Sequence, residues 1–126
     1  MKPQIIGVPG LPPANATYSQ ASALGDLVFV SGQLGIDPAT GHLAEGGIQA
    51  QTRQAIENII TILAACGTSL DRVAKVTLFL ADFSLLAEAN QIYAQYFTHR
   101  PAKTGVGIDQ LWGGALIEIE VIASRT

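Results

Sequence analysis

Cysteine is almost absent from this sequence. Cys66 stands alone among 126 residues, which excludes an internal disulfide framework and fits a reducing compartment. Its expected role is a small buried hydrophobe at a helix end. Histidine is scarce too: His42 and His99 lie far apart and in no ligand spacing with Cys66 or a carboxylate cluster, so no zinc or iron site is expected. Charge is the third shortage. Only 13% of the residues are charged against 48% hydrophobic, too little to cover a domain in the usual proportion. Some apolar surface is therefore expected to be hidden against further copies of the chain.

Other absences narrow the function. A formal net charge of −3 offers no basic footprint for nucleic acid, whose binding rests on Lys and Arg at phosphates. No apolar run is long enough to span a bilayer, and Met1 to Pro9 lacks the apolar core of a signal peptide. The expectation is a cytoplasmic protein that handles a small neutral or anionic metabolite. Gly105 and Gly107 begin a dinucleotide-type pattern, but Gln110 stands where its third glycine belongs. No phosphate-binding loop, nucleophile elbow or His-Glu-x-x-His pattern is present.

What is present is one domain's worth of chain, 1–126, with enough apolar residues for a core. Residues 1–16, rich in proline, read as an extended arm. Tyr18–Ala23 and Leu27–Val30 form a hairpin candidate turning at Leu24-Gly25-Asp26, and Asp37–Gly41 is a turn by composition. From Ile48 to Cys66 apolar residues recur at helical spacing, with Gln49, Arg53, Gln54, Glu57, Asn58 and Thr61 mostly on the other side. Gly67 is placed to end that helix in the left-handed conformation. Val73–Leu80 alternates as a strand, with Ala74, Val76, Leu78 and Leu80 on one face. Asp82 and Ser84 then offer caps for a second helix over Leu85–Phe97. The order is β-β-α-β-α-β-β, with a possible short strand near His42–Ala44. Two helices on one face of a mixed sheet is the economical arrangement, an α+β fold whose other sheet face is left bare.

The C-terminal stretch holds the most chemistry. Ile117-Glu118-Ile119-Glu120-Val121 is a strand with one buried face. Lys103–Ile108 reads as a weaker partner, with Gln110–Gly114 as the hairpin turn between them. In that pairing Lys103 and Glu118 share a face beside a strip of glycine, either as an exposed ion pair or as a functional site. Tyr18, Ser31, Gln33 and Asn90 are the other small polar groups at strand and helix ends.

Several segments together resemble the Rid family of reactive intermediate deaminases, also called YjgF-like or endoribonuclease L-PSP. They are Tyr18-Ser19-Gln20, Val30-Ser31-Gly32-Gln33, Gln51 to Asn58, Asn90 to Tyr93, Pro101-Ala102 and Ile117 to Ala123. The resemblance runs from about Tyr18 onward. It implies a chorismate-mutase-like fold and a homotrimer with ligand clefts between subunits. It further implies hydrolysis of 2-imino or enamine acids to 2-oxo acids and ammonia without metal or organic cofactor. By position, Glu118 would handle the water, Tyr18, Ser31 and Asn90 would line the cleft, and Gly32 would allow close backbone contact. Deaminase-type members carry Pro-Ala-Arg-Ser and a cysteine, whereas this chain reads Pro101-Ala102-Lys103-Thr104-Gly105. Lys103 keeps the charge that holds an anionic group but not the planar two-bond grip of a guanidinium. Gly105 takes a side chain off the cleft floor. The leading expectation is a metal-free imine or enamine hydrolase using Glu118 and Lys103. A noncatalytic metabolite-binding trimer comes second and an endoribonuclease third.

Overall fold

The computed structural model describes residues 1–11 and 17–126. Three strands, β1 (Gln4–Ile6), β2 (Ala21–Leu24) and β3 (Leu27–Leu34), precede helix α1 (Gly47–Ala65). Strand β4 (Val73–Leu80), helix α2 (Leu86–Tyr96) and strands β5 (Ala102–Gly107) and β6 (Ile117–Ser124) complete the chain. The strands make one sheet in the order β1-β2-β3-β6-β4-β5. Among the described residues only the β4–β5 pair is parallel, joined by α2 as the long crossover such a pair requires. The expected α+β architecture of two helices on a mixed sheet is observed, with β1 in addition. That strand lies inside the stretch expected to be a nonrepeating arm, where Ile5 pairs with Ser22. Residues 12–16 of the arm lie outside the described residues.

Helix α1 forms because Ile56, Ile59, Ile62 and Leu63 fall on one side and are completely buried, offsetting the modest helix propensity of isoleucine. It ends as its sequence predicts: Gly67 takes φ 80, and the Thr68 amide donates back to the Leu63 carbonyl at 2.9 Å. Cys66 is buried at that end. Three polar residues of α1 go inward as well, Gln51, Thr52 and Asn58; for Asn58 this reverses the expected exposure. Its amide donates to the Leu34 and Ile36 carbonyls at 3.3 and 2.8 Å, fixing the chain where β3 ends. Asp82 accepts from the Ser84 amide at 3.0 Å and opens a 3-10 turn, Phe83–Leu85, ahead of α2. Near His42–Ala44 there is a single bridge, Ile36 to Leu43, in place of a strand.

The C-terminal hairpin is the main correction. β5 and β6 are not neighbours, because β4 lies between them. Val76, Leu78 and Leu80 of β4 are fully buried, so this strand belongs inside the sheet with a partner on each edge. The glycine-bearing β5 has little to bury and takes the edge. Lys103 therefore pairs with Val76 and Glu118 with Phe79. Val76 points to the helices and Phe79 away from them, so Lys103 and Glu118 are on opposite faces. A second correction falls in β4, where an irregularity between Val73 and Lys75 turns Val73 inward and leaves Ala74 exposed.

Candidate functional site

β3 slips against β6 between two pairs, Val30 with Val121 and Gln33 with Ile119. One extra residue on β3 makes this a bulge, which re-aims the side chains beside it. Ser31 and Gly32 occupy it. The Ser31 amide donates to the Gln20 carbonyl at 3.0 Å and its hydroxyl donates to the Ser19 carbonyl at 2.6 Å. Gly32 leaves the space in which Glu118 lies: a Cβ there would stand 2.6 Å from Glu118 Oε1 and 2.7 Å from its Cδ.

Glu118 is half-buried in the wall of an open groove of about 720 Å³, lined also by Tyr18, Ser31, Gly32, Asn58 and Trp112. Burial pushes its carboxyl above the ordinary carboxylate range, and the charge of Glu120 adds to the effect. Tyr18 stands at the rim, 53% exposed. The groove thus brings together five of the residues singled out from sequence: Tyr18, Ser31, Gly32, Gln33 and Glu118.

Lys103 lies in a second hollow of about 440 Å³ together with Tyr93, Thr98, Arg100 and Pro101. Its ammonium sits 4.4 Å from the centre of the Tyr93 ring and donates to Asn90 Oδ1. Partial burial lowers its pKa, while the ring face and the amide oxygen both favour the cation. Tyr93 stacks on Phe97 with centroids 4.5 Å apart. Its buried hydroxyl has no partner among the described residues, and burial pushes it up to about 12. Gly105 faces α2, where a Cβ would touch Leu86 at 3.6 Å; it is on the floor of neither concavity.

The predicted set thus divides into Tyr18, Ser31, Gly32 and Glu118 around the groove and Lys103, Asn90 and Gly105 on the helix side. Sequence reasoning missed Trp112 in the first group and Arg100 in the second. Trp112 carried a signal, as the sole tryptophan beside two glycines. Arg100 carried another by preceding a proline, which restricts its backbone. It is the only non-glycine residue with positive φ among the described residues, at 57. No group of three or more His, Cys, Asp or Glu side chains among the described residues is placed to hold a metal ion. No helix there is long and apolar enough to cross a membrane.

Known proteins share both the sequence and the fold. The family model described as Endoribonuclease L-PSP matches residues 10–125. A RutC family protein of Pyrococcus horikoshii is 44% identical over 123 residues, covering 97% of this chain and 98% of its own. A Bos taurus protein named 2-iminobutanoate/2-iminopropanoate deaminase is 40% identical over 121 residues, covering 95% of this chain and 88% of its own. The crystal structure of a protein of unknown function from the conserved Rid family of Yersinia pestis matches with a TM-score of 0.92 at 39% identity. It covers 98% of this chain and 99% of its own. By the near-complete match to the family model and by these relatives, the chain belongs to the Endoribonuclease L-PSP family, which includes the Rid proteins.

Proposed function

We propose that the protein hydrolyses small reactive imines or enamines to a carbonyl product and ammonia, in clefts completed between subunits of a homotrimer. The observation that carries this reading is the Glu118 carboxyl, laid over Gly32 in an accessible groove and held above its usual pKa. A carboxylate tuned toward neutral pH suits proton transfer to and from water. As the base, Glu118 takes a proton from a water attacking the imine carbon. Glu118 gives that proton to the imine nitrogen as the carbinolamine forms, then takes the carbinolamine's hydroxyl proton and passes it to the nitrogen as the C–N bond breaks, leaving the carbonyl. An enamine first tautomerises to the imine. One water is consumed and one ammonia released, with no change of oxidation state.

An anionic group on the substrate needs a cation, and Lys103 is on the wrong face of its own sheet to share a ligand with Glu118. A Lys103 brought by a neighbouring copy meets that need. The open sheet face supports such packing: Leu27 and Phe29 are 47% and 37% exposed on the side of the sheet that carries Phe79 and Ile122, both half-buried. The name of the 40% identical Bos taurus relative supports the imine class. The groove's charged lining is Glu118 and Glu120, which repel the phosphates of RNA and disfavour the nuclease in the family's name.

The test is hydrolysis of 2-imino acids formed in place by an amino-acid oxidase. Wild-type protein should accelerate it, and Glu118→Gln should lose about 10²-fold or more. A wild type with no effect on any imine, or a Glu118→Gln variant with full activity, overturns the reading.

A further inference from the structure

Trp112 is 78% exposed, an unusual position for a side chain whose value ordinarily comes from burial. It is nevertheless firmly mounted. Trp112–Gly114 is a 3-10 turn in which Gly113 and Gly114 take φ 67 and 74, backbone that a substituted residue adopts at a cost. The Ala115 amide donates to the Trp112 carbonyl at 3.2 Å. Next, the Leu116 amide donates to Gln51 Oε1 of α1 at 2.9 Å, and the Leu116 carbonyl accepts from the Ala81 amide at 3.1 Å. The turn that carries the sole tryptophan is thus tied to the helix layer and to the end of β4, and Trp112 lines the Glu118 groove.

The groove around it has two characters. Gly32, Ser31 and Glu118 make a polar end, whereas Trp112, Tyr18, Leu34 and Ile36 supply aromatic and aliphatic surface. A three- or four-carbon imino acid has little side chain to meet that aromatic and aliphatic surface, whereas a planar aromatic side chain meets it. We infer that Trp112 is a specificity-determining residue and that the groove takes imino acids with a planar aromatic side chain, stacked on its indole. The inference rests on the imine-hydrolase reading for the acid end of the ligand and adds the class of side chain. An aromatic pair of this kind corresponds to about a 3- to 10-fold preference over a small side chain.

Calorimetric titration with two product analogues, phenylpyruvate and pyruvate, measures that preference directly, and the emission of the single tryptophan reports whether the ligand reaches it. Phenylpyruvate should bind about 3- to 10-fold more tightly than pyruvate and change the emission saturably. Trp112→Ala should bring the ratio of the two affinities close to unity, and Trp112→Phe should keep most of it. With so exposed a ring, Trp112→Ala is expected to fold normally. Equal affinities in the wild type, a preference untouched by Trp112→Ala, or no binding of either acid overturns the inference. So does a Trp112→Ala protein that changes oligomeric mass but keeps the preference, since the ring is then a subunit contact. Imine turnover is scored separately. Turnover without an aromatic preference sinks this inference alone, and an aromatic preference without any imine turnover sinks the hydrolase reading alone.

Discussion

On the helix side of the sheet Val28, Val76, Leu78, Ile117 and Ile119 are completely buried. On the other side the residues alternating with them, Phe29, Phe79, Glu118 and Glu120, retain contact with solvent. The same strands supply both faces, so strand formation accounts for neither difference. Helices α1 and α2 close one face into a core, while the other keeps apolar and acidic groups side by side. Gly32 and Gly35 condense the contrast into a few residues: Gly35 makes room for the backbone of α1, and Gly32 for a carboxylate. Stability is thus concentrated on the covered face, and the proposed chemistry falls on the open one.

The largest effect is expected at Gly35. A Cβ there would lie 2.4 Å from the Gln51 carbonyl oxygen and 2.6 Å from its Cα, contacts with helix backbone that no side-chain rotation relieves. Gly35→Ala should lose about 3 kcal/mol or more in chemical denaturation, at or beyond the upper end of overpacking. A loss below about 1 kcal/mol would mean that α1 is less rigidly docked than its buried isoleucines imply. Gly32→Ala has the opposite signature. The atoms it displaces belong to the flexible side chain of Glu118, so the fold should give way by under about 1 kcal/mol. Imine hydrolysis should fall by about 10- to 100-fold as the carboxylate leaves its position. Equal damage to stability and turnover would break the distinction between the two glycines.

Local periodicity made much of the covered face legible. The repeats of α1, β4 and α2 mark their buried sides, and Gly67 marks the end of α1 correctly. Of the polar groups marked at strand and helix ends, Tyr18, Ser31, Gln33 and Glu118 lie around a single groove; Gly32, which also lines it, was marked by the family resemblance alone. Strand order was not. Alternation tells which residues of β5 and β6 share a side within each strand, but not that β4 separates the two, and this one unknown moved Lys103 to the opposite face from Glu118. The buried Asn58 escaped for a related reason, since only the end of β3 supplies the carbonyls that its amide satisfies. Ala74 was misassigned because a slip in register is invisible to a period of two.

Lys103→Arg sharpens the comparison from the helix side. Lys103 offers a point charge engaged by Asn90 and the Tyr93 ring, whereas a guanidinium forms a two-bond fork with a carboxylate. If Lys103 meets the substrate's anionic group, the arginine variant should lower KM by about 3- to 10-fold with a smaller change in kcat. An unchanged KM would remove Lys103 from substrate binding and leave it as a strut for α2.

The smallest predicted effect reads the electrostatics of the open face through stability. Because burial and Glu120 raise the Glu118 pKa, the folded chain binds a proton at Glu118 more tightly than the unfolded chain does. The resulting stabilisation is fully present below the unfolded value, about 4.3 for glutamate, and is lost as pH rises through the folded value. Glu118→Gln mimics the protonated state at every pH. It should therefore raise Tm at pH 7 by about 1–4 °C, a modest figure because solvent still reaches the carboxyl, and give no gain near pH 4. Thermal unfolding of both proteins at the two pH values checks the sign. A wild type that is the more stable at pH 7 would mean a cation compensates Glu118 in the assembled protein. The raised pKa on which the proton-transfer role rests would then be lost. A gain at pH 7 that disappears on acidification instead identifies Glu118 as a carboxylate kept at the expense of stability, as expected where the open face serves chemistry.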